Sequence, residues 1–200
     1  KSNIVSEITK KKLKKNTNIN EASIDSRKIK KNNIFFGIKG KNFDGNKFVN
    51  QAFKSGASIS INENKNRNKF KNNIYVKNSL KTFSEIAKLI RVSSNISSIA
   101  ITGSAGKTSL KEMLGQMMSK IHQTSYSKKS FNNKYGVPIS LFNINKEDKI
   151  GIFEVGMDKK GEIDFLTKKI MPDIGIITNI SYAHIKNFKN LKGVAHAKSE

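Results

Sequence analysis

The 200-residue chain has no cysteine and no tryptophan, and only two of its residues are proline. Without thiols, disulfides and thiolate metal centres are excluded. No apolar run approaches the roughly 20 residues that a membrane-spanning helix needs, and no secretory leader is evident at the start. The expectation is a cytoplasmic protein with no membrane span. Acidic residues are scarce too: 15 stand against 38 lysines and arginines, for a formal net charge of +23. Such an excess attracts polyanions. Yet Arg27, Arg67 and Arg91 are the only arginines, and the lysines are spread along the chain among many asparagines. Base-edge reading and bidentate phosphate grip favour arginine. No specific nucleic-acid partner is therefore expected, and the charge reads mostly as a solvated surface.

What is present is an alternation of short apolar segments. Hydrophobic residues make up 36% of the chain and fall in periodic clusters, as a folded chain requires. Residues 1–22 carry only a weak helical pattern at Ile4, Ile8 and Leu13. Asn33–Ile38 reads as a buried strand, Gly40–Gly45 as a loop, and Lys47–Lys54 as a helix ending near Gly56. Ala57–Ile61 alternates like a half-buried strand, and Ile74–Lys77 is another. Leu80, Phe83, Ile86, Ala87 and Ile90 share one helical face. A strand at Ser98–Thr102 then leads through a glycine-rich turn into a helix from Lys107 to about Ile121, with Leu110, Met113, Leu114 and Met117 inward. Strand Ile150–Val155, a helix over Glu162–Ile170, and the apolar run Asp173–Ile180 follow. Strands buried on both faces and separated by helices indicate a parallel sheet. The expected architecture is α/β: a small α/β domain over residues 1–78, then a truncated, doubly wound, mostly parallel P-loop domain over residues 79–200.

The segment Thr102-Gly103-Ser104-Ala105-Gly106-Lys107-Thr108-Ser109 carries the clearest chemistry. Gly103 and Gly106 let the backbone wrap an anion with its N–H groups inward. A helix starting near Lys107 aims its positive end at phosphates. Lys107 would reach phosphate oxygens, and the Thr108 hydroxyl would ligate Mg²⁺. The general pattern G-x-x-x-x-G-K-[ST] would place its first glycine at Ile101, and this chain carries Gly103 instead.

That variant, T-G-[ST]-x-G-K-T, resembles the Mur ligases of peptidoglycan synthesis. Later segments resemble the same family in order: SFNNKYGVPIS (130–140), FEVGMDKKG (153–161), ITNISYAH (177–184) and AHAKSE (195–200). Asp25-Ser26-Arg27 and the G-x-x-x-D-G of 40–45 resemble its UDP-sugar-binding part. The forms Glu-Val-Gly-Met and Asn-Asn-Lys-Tyr-Gly-Val-Pro are similar to the member that joins D-alanyl-D-alanine to UDP-N-acetylmuramoyl-tripeptide. One departure is Asn46, where that pattern often has histidine.

The resemblance implies a cofactor pair, ATP and Mg²⁺, and a reaction through an acyl phosphate. It implies that Lys107 stabilises the transferring phosphoryl group. It further implies that Thr108, Glu154, His184 and a carbamylated Lys198 serve the metal, with Lys107, His184 and Lys198 catalytic. The loop residues Thr102 to Ser109 and Asn133 would bind nucleotide, Asn132 would orient the reacting end of the substrate, and Ser26, Arg27, Gly40, Asp44 and Gly45 would hold the UDP-sugar. The implied partners are the two small-molecule substrates, with the protein a monomer. Lacking an initiator methionine and stopping within a helical pattern, the chain reads as cut at both ends. It is expected to lack the C-terminal domain of the family and to be inactive alone. Another amino-acid-adding ligase, a folylpolyglutamate synthetase relative and a basic nucleic-acid-binding P-loop ATPase remain as alternatives.

Overall fold

The computed structural model describes residues 1–13, 17–65, 70–182, 185–188 and 190–200. These form two compact units, Lys1–Ile90 and Arg91–Glu200. The architecture is α/β, with every strand pairing in both sheets parallel.

In the first unit, helix α1 (Ser2–Thr9) precedes a sheet of β1 (Ala22–Ser23), β2 (Ile34–Gly37), β3 (Ile59–Asn62) and β4 (Asn73–Tyr75), in that spatial order. Helix α2 (Val49–Lys54) follows a 3-10 turn at Gly45–Phe48. Val49 and Ala52 of α2 pack with Phe35, Ile29 and Ala57 on one face of the sheet. Side chains alternate across a strand, so Ile34 and Phe36 point to the other face, with their register partners Ile59 and Ile61. There Phe36 stacks on Phe83 of α3 (Ser79–Ser93), ring centroids 4.1 Å apart. The strand expected to be half-buried at 57–61 is therefore wholly buried as β3, because both faces are covered. The expected boundary after residue 78 lies ahead of α3. The division into units falls inside this helix, whose Phe83, Ile86 and Ala87 are fully buried.

The second unit has strand order β6-β7-β5-β8, with β5 at Ser97–Thr102, β6 at Thr124–Tyr126, β7 at Ile150–Glu154 and β8 at Ile174–Ile177. Helix α4 (Lys107–Ser119) covers one face. Its Leu110, Leu114 and Met118 pack on Ile101, Ile150 and Ile152. Met113 and Met117, expected inward, are about 60% exposed, because the buried stripe runs through 110, 111, 114, 115 and 118 and leaves them on the opposite side. On the other face, α5 (Gly136–Phe142) packs against β7 and α6 (Glu162–Ile170) against β5. Helix α7 (Leu191–Lys198) lies against α6. The apolar run 173–180 is not buried on both faces. Strand β8 occupies only 174–177 and pairs with β5 alone, so among the described residues it is a sheet edge with Ile174 and Ile177 exposed.

Truncating Phe83 to alanine removes a fully buried ring from the first unit. Phe83→Ala should cost about 3–5 kcal/mol in urea unfolding followed by circular dichroism, and a cost below about 1 kcal/mol would contradict the packing of α3 described here.

Candidate functional site

Strands β5 and β7 are neighbours in a parallel sheet, so both send their carboxyl ends to one edge, where open α/β sheets hold ligands. From β5 the chain enters the loop Gly103–Gly106 and then α4. Gly103 has φ 145° and Gly106 φ 78°, a region that disfavours side chains. At Gly103 an added Cβ would collide with the Thr178 hydroxyl. The first turn of α4 has no side-chain cap, which leaves its N–H groups for a ligand. Lys107 folds back, its Nζ donating to the Gly103 carbonyl at 2.7 Å. The Thr102 hydroxyl is buried with no partner among the described residues.

Strand β7 ends on Glu154, only 1% exposed. A carboxylate removed from water needs hydrogen bonds, and Glu154 accepts two. Thr108 Oγ1 donates to Oε2 and Asn132 Nδ2 to Oε1, each at 2.8 Å. Asn132 is itself fixed, since its carbonyl accepts from Gly156 N at 2.7 Å. Asn133 lies next to it, where its Oδ1 accepts from Tyr135 N and Gly136 N at 3.0 Å and opens α5. Lys198, at the end of α7, is 4% exposed. Burial, and then the positive charge of Lys107, push its ammonium pKa down to about 8. Lys107, Asn132, Asn133 and Lys198 line a cavity of about 770 Å³ whose apolar wall includes Met157 and Phe165.

The structure thus brings together Lys107, Thr108, Asn132, Asn133, Glu154 and Lys198 from distant parts of the second unit. His184 lies outside the described residues. No group of three or more His, Asp or Glu side chains converges among the described residues. A hydroxyl, a carboxylate and an amide oxygen are nonetheless donors of the type Mg²⁺ takes. That ion needs few protein ligands, because phosphates and water supply the rest.

In the first unit the expected substrate residues follow the carboxyl ends of β1 and β2. Asp25 caps the turn Ser26–Lys28. Its carboxylate is gripped by Arg27 Nε at 2.9 Å and Nη2 at 3.0 Å, and the Arg27 guanidinium holds its pKa below the ordinary value. Ser26 Oγ donates to Gln51 Oε1 at 3.0 Å. In the 40–45 loop, Gly40 N donates to Phe43 O at 2.7 Å and Gly45 N to Ile38 O at 2.9 Å. Asp44 Oδ1 accepts from Asn46 N at 3.0 Å and Asn46 Nδ2 at 2.6 Å, while Asn46 Oδ1 accepts from Glu63 N at 2.7 Å. Asn46 therefore has a structural job in this loop, and Asp44 is occupied as a cap.

Sequence reasoning missed Lys111. Its side chain is fully buried, and Nζ donates to the Lys129 carbonyl at 2.5 Å and pairs with Glu112 at 2.9 Å. Lys129 has φ 53°, and the loop it starts carries Ser130 within 3.5 Å of Thr108 Oγ1 and then Asn132. Among so many lysines nothing in the sequence separates this one. The only hint is its place one helical turn beyond Lys107.

Two family models match the chain: the Mur ligase family, catalytic domain, over residues 18–122, and the Mur ligase middle domain over residues 101–200. The UDP-N-acetylmuramoyl-tripeptide–D-alanyl-D-alanine ligase of Buchnera aphidicola subsp. Baizongia pistaciae is 39% identical over 186 residues, covering 91% of this chain and 40% of the relative. The MurF crystal structure from Acinetobacter baumannii superposes with TM-score 0.85 at 29% identity, over 99% of this chain and 45% of that one. MurF from Thermotoga maritima, solved in complex with ADP, gives TM-score 0.78 at 26% identity, over 93% and 43% of the two chains. The chain spans about 40% of the length of the curated relatives it matches.

Removing the Lys111 ammonium leaves the Lys129 carbonyl without its donor. Lys111→Met should lower stability by about 1–3 kcal/mol in urea unfolding, whereas the same change at the exposed Lys120 should stay within about 0.5 kcal/mol.

Proposed function

This chain belongs to the Mur ligase family, and from that premise we propose that it serves the ATP-dependent joining of D-alanyl-D-alanine to UDP-N-acetylmuramoyl-tripeptide. The observation that carries the reading is the meeting of Lys107 and the Thr108–Glu154–Asn132 cluster at the carboxyl edge of a parallel sheet. The names of relatives at 30–39% identity over nine-tenths of the chain support the choice of substrates.

When bound, ATP supplies the phosphoryl group that turns a peptide carboxylate into an acyl phosphate, and Mg²⁺ offsets the repulsion between the two anions. The chain's own residues prepare that meeting. Residues Thr102 to Ser109 form the phosphate cradle, where Gly106, Lys107 and Thr108 offer N–H groups at the start of α4. The Lys107 ammonium leaves the Gly103 carbonyl for phosphate oxygens. Thr108 and Glu154 present oxygens to the metal, and Asn132 keeps the Glu154 carboxylate in place. Asn133 stands beside it on the cavity wall. Preorganised groups of this kind act without reorganising as charge develops. In the first unit, Ser26, Arg27 and the 40–45 loop with Gly40, Asp44 and Gly45 hold the UDP-sugar, Arg27 through the edge of its guanidinium that Asp25 does not use.

Lys198 serves as a carbamate on this reading. Only a neutral amine attacks CO₂, and the neutral fraction grows as pH rises through about 8. With ¹³C-bicarbonate, a carbamate resonance should therefore rise with a midpoint near pH 8 and be missing in Lys198→Arg; a signal unchanged by that substitution would remove Lys198 from the site.

The decisive assay uses the full-length protein carrying these 200 residues. ADP release should require both UDP-N-acetylmuramoyl-tripeptide and D-alanyl-D-alanine. Lys107→Ala should reduce it by about 10²–10³-fold or more and leave UDP-sugar binding intact. ADP release that depends instead on a folate or on another amino acid would overturn the substrate assignment.

A further inference from the structure

The phosphate loop of this chain is short, and something outside it must hold its shape. Where the general pattern begins with glycine, Ile101 is fully buried inside β5. The backbone stays a strand through Thr102 and can turn only from Gly103, which leaves Gly103–Gly106 as the whole loop before α4. A stretch this short, with two residues at positive φ, is not fixed by its own hydrogen bonds.

The segment that follows β8 supplies the missing constraint. Asn179 accepts twice through Oδ1, from Ser104 N at 3.1 Å and from Ala105 N at 2.9 Å. Its backbone carbonyl also accepts from Ser104 N at 3.0 Å. Thr178 Oγ1 donates to the Ala105 carbonyl at 2.6 Å, in the next peptide unit along the loop. Ser104 Oγ exchanges hydrogen bonds with Ser181, accepting from its N–H at 2.9 Å and donating to its carbonyl at 3.2 Å. Gly103 lies so close to Thr178 that no Cβ fits between them. Ala105 is thus held by both its N–H and its C=O, and Ser104 by its N–H and its hydroxyl, to residues about 75 positions away.

We propose that Thr178 and Asn179 are positioning residues for nucleotide binding, forming an outer brace that sets the loop's affinity for a di- or triphosphate. The brace directs the N–H groups of Ser104 and Ala105 away from the ligand. It leaves those of Gly106, Lys107 and Thr108, at the uncapped start of α4, to face the phosphates. An amide suits this place because it accepts two N–H groups while adding no negative charge beside an anion site. The inference rests on the nucleotide-binding reading of the loop and adds residues outside it.

The test measures Mg²⁺–ADP affinity by titration calorimetry, together with amide hydrogen exchange, on the full-length protein. In Asn179→Ala, ADP affinity should fall about tenfold or more, and the Ser104 and Ala105 amides should exchange faster. The melting temperature and UDP-sugar binding should hold, which a general loss of structure would not allow. Asn179→Asp keeps the acceptor oxygen. It should restore slow exchange at both amides yet still bind ADP weakly, because its charge repels the phosphates. Should Asn179→Ala fail to fold, Thr178→Val, which keeps the shape and removes only the hydroxyl, must show the same selective loss. Unchanged ADP affinity in a protein whose Lys107→Ala variant no longer binds ADP would overturn the brace alone. Absence of ADP binding by the unaltered protein would overturn the nucleotide reading and the brace with it.

Discussion

Glu154 is almost entirely withdrawn from water, and a carboxylate in that position persists only with good hydrogen-bond partners. It finds them in Thr108 on the first turn of α4 and Asn132 on the loop ahead of α5. One anion therefore ties three chain segments together at the end of β7. The same contacts place a buried carboxylate beside the Gly103–Gly106 loop, so the requirement that stabilises this corner of the fold also fixes the oxygens that the proposed function assigns to a metal.

Around that point the second unit adds two further supports. The buried Lys111 ammonium holds the 129–132 loop from below through the Lys129 carbonyl, and the residues after β8 hold the phosphate loop from the side. Each acts on backbone groups, which carry no signature in the side chains of the loop itself. Lys107 and Lys198 remain as cations facing a common cavity. Burial first, and then the positive charge of Lys107, lowers the pKa of Lys198.

Where sequence and structure differ, the cause is coverage rather than local preference. Met113 and Met117 have the helical spacing of buried residues, yet the sheet meets α4 along the neighbouring stripe. The run at 173–180 has the composition of a central strand, but β8 has a partner on one side only among the described residues. Thr124–Tyr126 is a three-residue strand with no apolar run to announce it. Gly136 and Pro138 look like turn residues, although both are tolerated in the first turn of a helix such as α5. Pattern reports which residues can be buried, and packing decides which of them are.

The sequence by itself determined the α/β alternation, the glycine-rich turn between β5 and α4, and the family. Those depend on period, glycine placement and motif order, all of which are local or linear properties. It also singled out Lys107, Thr108, Asn132, Glu154 and Lys198, because each sits in a motif. Only the tertiary structure decided that Glu154 is buried between Thr108 and Asn132, that Asp44 and Asn46 serve their own loop, and that Lys111, Thr178 and Asn179 support the site. Those roles arise from hydrogen bonds between residues as many as 77 positions apart. A contact of that kind exists only once the parallel sheet has brought the ends of its strands to one edge.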